Sequence, residues 1–166
     1  MSIIIPESGM KFGPYEETNV FHVEKSRLYK LLGEYVKTIE FILCNSDREI
    51  YLIEAKSSSP QPSNQEDFDE FILEIHEKFA HSIDLLFAIL LKRMLDDSGE
   101  VPSCIYDANS QVDIKLILVI NGHKIDWLSP INDAINQKLR RQIKTWNLEF
   151  VVMNEQLAYE NQLIQA

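Results

Sequence analysis

The chain has 166 residues, of which 45% are hydrophobic and 25% charged, with five Gly, six Pro and two Cys. A chain of that size buries roughly two-thirds of its unfolded surface, and its make-up excludes collagen-like, low-complexity, disulfide-scaffold and disordered classes. The formal charge of −10 repels polyanions and excludes a nucleic-acid coat protein, while leaving room for an enzyme that meets nucleic acid through a local basic patch and metal ions.

Residues 1–23 carry Pro6, Gly9, Gly13 and Pro14 with no clear periodicity, which predicts an irregular N-terminal arm on a single domain. The opening triplet Ile3–Ile5 has neither the basic region nor the long apolar stretch of a secretory signal. The apolar run from Ile83 to Leu91 is about half of the roughly 20 residues a membrane span needs. No membrane association is expected. Cys44 and Cys104 are too few for a disulfide framework, so a reduced cytoplasmic chain is expected, with Cys44 as a small core residue.

Ser26 before Arg27–Leu32 predicts a short capped helix that Gly33 terminates, with Leu28, Leu31 and Leu32 on one face. Tyr35–Cys44 reads as a strand, Asn45–Arg48 as a turn, and Glu49–Lys56 as a second strand, together an antiparallel hairpin. Ser57–Ser63, with Pro60 and Pro62, is a break. A long helix follows from Glu66 to about Leu95, its apolar stripe running from Phe68 through Ile75 and Phe79 to Leu90. Acidic residues at its start and Lys92 and Arg93 at its end suit the helix dipole. Its apolar C-terminal half predicts homodimerisation. A loop spans Asp97–Asn109, and Val112–Asn121 predicts a strand covered on both faces. A helix over Ile125–Trp146 and a strand over Leu148–Met153 close the pattern, leaving a short helix or loose tail. The fold class is α/β, a mixed central sheet with a β-hairpin core flanked by helices.

Only one place concentrates ionisable residues inside apolar strands. Glu40 lies in Ile39-Glu40-Phe41, and Glu54 and Lys56 lie in Ile53-Glu54-Ala55-Lys56. Hairpin pairing sets Glu40 opposite the Ile53–Glu54 region, and period-two alternation sets Glu54 and Lys56 on one face. Two neighbouring carboxylates repel unless neutralised. Lys56 supplies one charge and a divalent cation suits the rest, because carboxylate and carbonyl oxygens are the hard ligands that Mg²⁺ prefers.

An acid on the first hairpin strand, then Glu-X-Lys on the second, preceded and followed by helices, resembles the PD-(D/E)XK nuclease superfamily over roughly residues 24–122. The resemblance implies a restriction-endonuclease-like fold and Mg²⁺- or Mn²⁺-dependent hydrolysis of phosphodiester bonds in DNA or RNA. It implies Glu40 and Glu54 as metal ligands, the Ala55 carbonyl as a further ligand, and Lys56 as the catalytic lysine. The chain departs from the family in lacking a Pro-Asp dipeptide; Asp47, the alternative acid, sits in the turn. Superfamily members also draw an acid from the first helix, where Glu24 and Glu34 are candidates, both read as solvated charges. Lys78 and Ser82, one turn apart on the long helix, are read as surface residues.

Lys138, Arg140, Arg141 and Lys144 fall within two helical turns and form the candidate phosphate-contacting surface; a basic outer helix face is the equal alternative. For Glu40, Glu54 and Lys56 the plain alternative is a cross-strand ion pair worth about 0–1 kcal/mol. On that reading the chain is a catalytically inactive module that binds a partner protein. His22, His76, His81 and His123 lack zinc spacing, and no phosphate-cradling glycine loop exists.

Overall fold

The computed structural model describes residues 1–166, and it is a five-stranded mixed sheet between two layers. In chain order the elements are β1 (Ser2–Glu7), β2 (Met10–Glu16), β3 (Val20–His22), α1 (Arg27–Leu32), β4 (Phe41–Ser46), β5 (Glu49–Lys56) and α2 (Gln65–Leu90). Then follow α3 (Ser103–Tyr106), β6 (Asp113–Ile120), α4 (Leu128–Lys138), α5 (Arg140–Trp146), β7 (Glu149–Asn154) and α6 (Glu155–Glu160). The sheet order is β3-β4-β5-β6-β7; β3, β4 and β5 run antiparallel, and β5, β6 and β7 run parallel. The 26-residue α2 carries the first parallel crossover and α4 with α5 the second.

Alternation along the strands builds both cores. Ile42 and Cys44 of β4, Ile50 and Leu52 of β5, and Leu116 and Leu118 of β6 join Phe71, Ile75, Phe79 and Leu86 of α2 in the larger core. Phe41, Leu43, Ile53, Ala55, Ile117 and Val119 face the other way, onto Ile5, Met10 and Phe12 of the first two strands and Leu163 and Ile164 of the C-terminal tail. The unbroken apolar run of β6 exists because both of its faces are covered. No helix is long and apolar enough to cross a membrane.

Several expectations are corrected. Residues 1–23 are not an irregular arm: β1 and β2 pair as a hairpin that roofs the second core, and β3 is the edge strand of the sheet. Of the residues read as breakers, Gly9 lies in its turn, while Pro6, Gly13 and Pro14 lie within the two strands. Ser8 and Gly9 both have positive φ, 52° and 79°, the two-residue turn that suits a right-twisted hairpin. A Cβ on Gly9 would lie 2.8 Å from Asn121 Nδ2, which itself donates to Ser8 O at 3.0 Å. Gly9→Ala should therefore cost about 1–2 kcal/mol in urea unfolding; a loss below about 0.5 kcal/mol would mean that the turn relaxes freely.

The long helix stops at Leu90 rather than Leu95. Lys92 takes a left-handed φ of 57°, and the Arg93 amide turns back to donate to Ala88 O at 2.7 Å. Lys92 and Arg93 thus lie beyond the last turn. In the apolar C-terminal half of α2, Ile83, Leu85, Leu86 and Ile89 are buried within the chain. The helix expected over Ile125–Trp146 is a 3-10 turn at Ile125–Trp127, then α4 and α5 meeting at Leu139, whose buried side chain anchors the break.

Cys44 and Cys104 form a disulfide, which corrects the expectation of a reduced chain. The bond joins β4 to α3, with Cα atoms 6.4 Å apart, inside the range a disulfide spans without backbone distortion. The pair was invisible in the cysteine count because proximity here is created by α3 folding onto the sheet.

Candidate functional site

The strand expected from Tyr35 begins only at Phe41, and Lys37 and Ile39 before it are held by α2 instead of a strand partner. The Ile39 amide donates to Ser82 Oγ at 2.9 Å and the Lys37 amide to His81 Nδ1 at 3.2 Å. Ser82 is fully buried, which corrects its reading as a surface residue. This anchor fixes where Glu40 enters the sheet. Phe41 pairs with Ile53, so Glu40 stands one step further along, level with Glu54. On the other side the Val23 amide donates to Glu40 O at 3.2 Å, which brings Glu24 to the same corner. Ser26 caps α1 by accepting from the Tyr29 amide at 3.1 Å and so turns the chain away just after Glu24.

Helix α2 crosses this corner and adds Glu74 and Lys78, one turn apart on one face. Lys78 Nζ lies 2.9 Å from Glu54 Oε1, 3.3 Å from Glu24 Oε1 and 3.8 Å from Glu40 Oε1. Lys56 Nζ donates to Glu74 Oε1 at 2.6 Å and lies 3.6 Å from Glu54 Oε1. Strand and helix are thus cross-linked by two ion pairs, Glu54–Lys78 and Lys56–Glu74. The structure brings Glu40, Glu54 and Lys56 to one corner. It also adds three groups that the sequence left outside: Glu24 and Lys78, read as surface charges, and Glu74.

Burial decides the electrostatics. The Glu54 side chain is 0% exposed; its contact with Lys78 is too poorly angled for a hydrogen bond, and Oε2 has no partner. Burial pushes its carboxyl up from 4.5 to about 7; Lys78 and Lys56 oppose that shift and Glu40 adds to it. Burial also raises Glu40, reinforced by Glu24 and Glu7 and opposed by Lys78 and Lys56. Burial acts to lower Lys78, but the charges of Glu54, Glu24 and Glu40 outweigh it and hold the amine above the ordinary lysine value. For Glu74, burial is likewise outweighed, by the Lys56 hydrogen bond and the charges of Lys56, Lys78 and Lys37, so its value falls.

The metal implied by the family resemblance can be tested against these donors. No three acidic, histidine or cysteine side chains converge closely enough to ligate one ion by themselves. Mg²⁺ does not require that, since it is commonly held through one or two carboxylates with the rest of its shell water or phosphate. Glu40, just before β4, and Glu54 on β5 are hard oxygen donors, Glu54 Oε2 is free of other bonds, and Ala55 sits between Glu54 and Lys56 in the β5–β6 ladder. Four carboxylates against two ammonium groups leave a formal charge of −2 at the corner. Carboxylate and carbonyl oxygens are the hard donors that a small divalent cation takes.

The basic residues do not join it. Lys138, Arg140, Arg141 and Lys144 are exposed on α4 and α5. Lys138 acts on His76 of α2, which lies about 200° around the helix from both Glu74 and Lys78. The basic surface and the acidic corner therefore flank α2 on different sides. Ser59, in the break after β5, has its Oγ 2.9 Å from His123 Nδ1.

Lys78 was detectable in principle. It falls on the stripe of Phe71, Ile75, Ser82 and Leu86, where a charge among buried positions needs a buried partner. Glu24 and Glu74 carried no such signal, because acidic residues on exposed helix faces and loops look alike in sequence. Comparisons with protein-family models, with curated proteins and with solved structures find no match for this chain.

Proposed function

We propose that this chain is a metal-dependent phosphodiesterase of the PD-(D/E)XK kind, cleaving DNA or RNA with Mg²⁺ or Mn²⁺. The observation that carries the reading is the meeting of Glu40, Glu54 and Lys56 at one corner of the hairpin, with a buried carboxylate oxygen left unbonded. Glu40, Glu54 and the Ala55 carbonyl would hold the ion. When bound, it would polarise a phosphoryl oxygen and neutralise developing negative charge. Lys56 would offer its ammonium to the phosphate, where negative charge grows in the transition state of hydrolysis. Glu74 orients that ammonium through the 2.6 Å hydrogen bond. Glu24 and Glu74, each 39% exposed, form the open side through which a substrate would approach. The basic surface on α4 and α5 enters this reading only as a contact for more distant backbone phosphates.

One observation favours the inactive, partner-binding alternative: Lys78 already neutralises Glu54, and the surrounding acids repel a polyanion. A cleavage assay on single-stranded, duplex and branched DNA and on RNA, with Mg²⁺ or Mn²⁺, separates the two. Cleavage by the natural protein should fall by about 10²–10³-fold in Glu54→Gln and in Lys56→Ala. Absence of metal-dependent cleavage on every substrate, or cleavage that survives both substitutions, defeats the enzymatic reading.

A further inference from the structure

Lys78 reaches the corner from inside the fold. Its side chain is 11% exposed and its ammonium meets carboxylates from three separate segments: Glu24 before α1, Glu40 before β4 and Glu54 on β5. The ammonium donates a hydrogen bond to Glu24 and meets Glu54 and Glu40 as ion pairs, so a single positive charge serves three acids. Lys56, by contrast, leans toward Glu74 and sits 3.6 Å from Glu54. Glu54, fully buried, turns one oxygen to Lys78 and keeps the other unbonded.

We propose that Lys78 is the resident counter-ion of this site, holding Glu24, Glu40 and Glu54 together in the metal-free protein and leaving Glu40 and Glu54 when a divalent cation binds them. The inference rests on the metal-dependent reading above. A Mg²⁺ ion binds carboxylate oxygens at about 2.0–2.1 Å. An ion on the carboxylate that Lys78 now touches at 2.9 Å would meet a like charge in a site shielded from water, where repulsion is strong. The four-carbon stem of lysine is flexible, and Glu24, on the open side at 39% exposure, is the partner to which the ammonium withdraws. The acids are thus kept assembled without metal, and the cation binds in exchange for an internal positive charge.

Two measurements test the exchange. In the natural protein labelled with ¹⁵N at lysine Nζ, one ammonium signal should be slow to exchange without metal and should shift or broaden as Mg²⁺ saturates the site. Glu24→Gln, a change at the exposed partner, identifies the signal by moving it. In calorimetry with Mn²⁺, Lys78→Met should bind at least tenfold more tightly than the natural protein. If the natural protein binds Mn²⁺ while Lys78→Met binds no more tightly, or the ammonium signal ignores saturating Mg²⁺, the exchange is wrong and the metal site stands. If neither protein binds either ion, the metal site and the exchange fall together. Should Lys78→Met fail to fold, the ammonium signal of the natural protein decides the question alone.

Discussion

Replacing Lys78 with Met is expected to cost the metal-free protein about 3–5 kcal/mol at pH 8, read from urea unfolding, because it leaves the buried Glu54 charge without its nearest partner. The loss should depend on pH in a defined direction. The Glu54 carboxyl is pushed from 4.5 to about 7 in the folded protein. Between those values the folded chain holds a proton that the unfolded chain has released. Its contribution is therefore most favourable below about pH 4.5 and declines as pH rises toward 7, by at most about 1.4 kcal/mol per pH unit. Lys78 behaves in the opposite region: its folded value lies above that of a free lysine, so its stabilisation is complete below about pH 10.5 and lost above it. Without Lys78 the carboxyl rises further, and protonation relieves it at low pH. The deficit of Lys78→Met should therefore shrink between pH 8 and pH 5. Adding Glu54→Gln should restore most of it at pH 8, since removing both members of a buried pair is far milder than removing one. A deficit that is equal at both pH values would show that Glu54 is not the group left exposed to repulsion.

The second large effect concerns the disulfide. Cys44 and Cys104 close a loop across 60 residues, and in the chain-entropy description such a closure stabilises by about 4 kcal/mol. The double substitution Cys44→Ala and Cys104→Ala should lower the melting temperature by about 10 °C, and treatment of the natural protein with a thiol reductant should reproduce the loss. Cys44 is buried in the main core, so alanine is used to avoid placing a hydroxyl among Ile42, Ile50 and Leu116. A change of only a degree or two would mean that the packing of α3 on the sheet already confines the unlinked chain.

Much of the larger core was legible before any coordinates. Periodicity at Phe71, Ile75, Phe79 and Leu86 gave α2, Ser26 and Gly33 bounded α1, and the unbroken run from Leu116 to Ile120 announced a strand covered on both faces. The N-terminal hairpin was misread because Pro6, Gly9, Gly13 and Pro14 look like breakers, whereas here Gly9 supplies the turn and in a two-stranded hairpin proline costs no central ladder bond. The start of β4 was misplaced because Thr38 and Ile39 have strand-like side chains while their neighbourhood is α2: Ser82 takes the Ile39 amide that a strand partner would have bonded.

In the candidate site the same division appears at the level of single residues. Glu40, Glu54 and Lys56 could be named from order along the chain, since hairpin pairing and two-residue alternation are local rules that relate neighbours in sequence. Glu24 and Glu74 could not, and Lys78 showed only as a charge on a buried stripe without its partners, because they arrive from a loop and a helix whose docking is decided by apolar burial elsewhere on those segments. Sequence by itself determined α1, most of α2, the β4–β5 hairpin, β6, β7 and the acid-X-lysine pattern, all governed by short-range backbone geometry. Only the tertiary structure decided that a second lysine would sit among the acids and that the basic helices would lie on another side of α2. It alone also decided that the two cysteines would meet, because each depends on how whole faces pack and not on spacing along the chain.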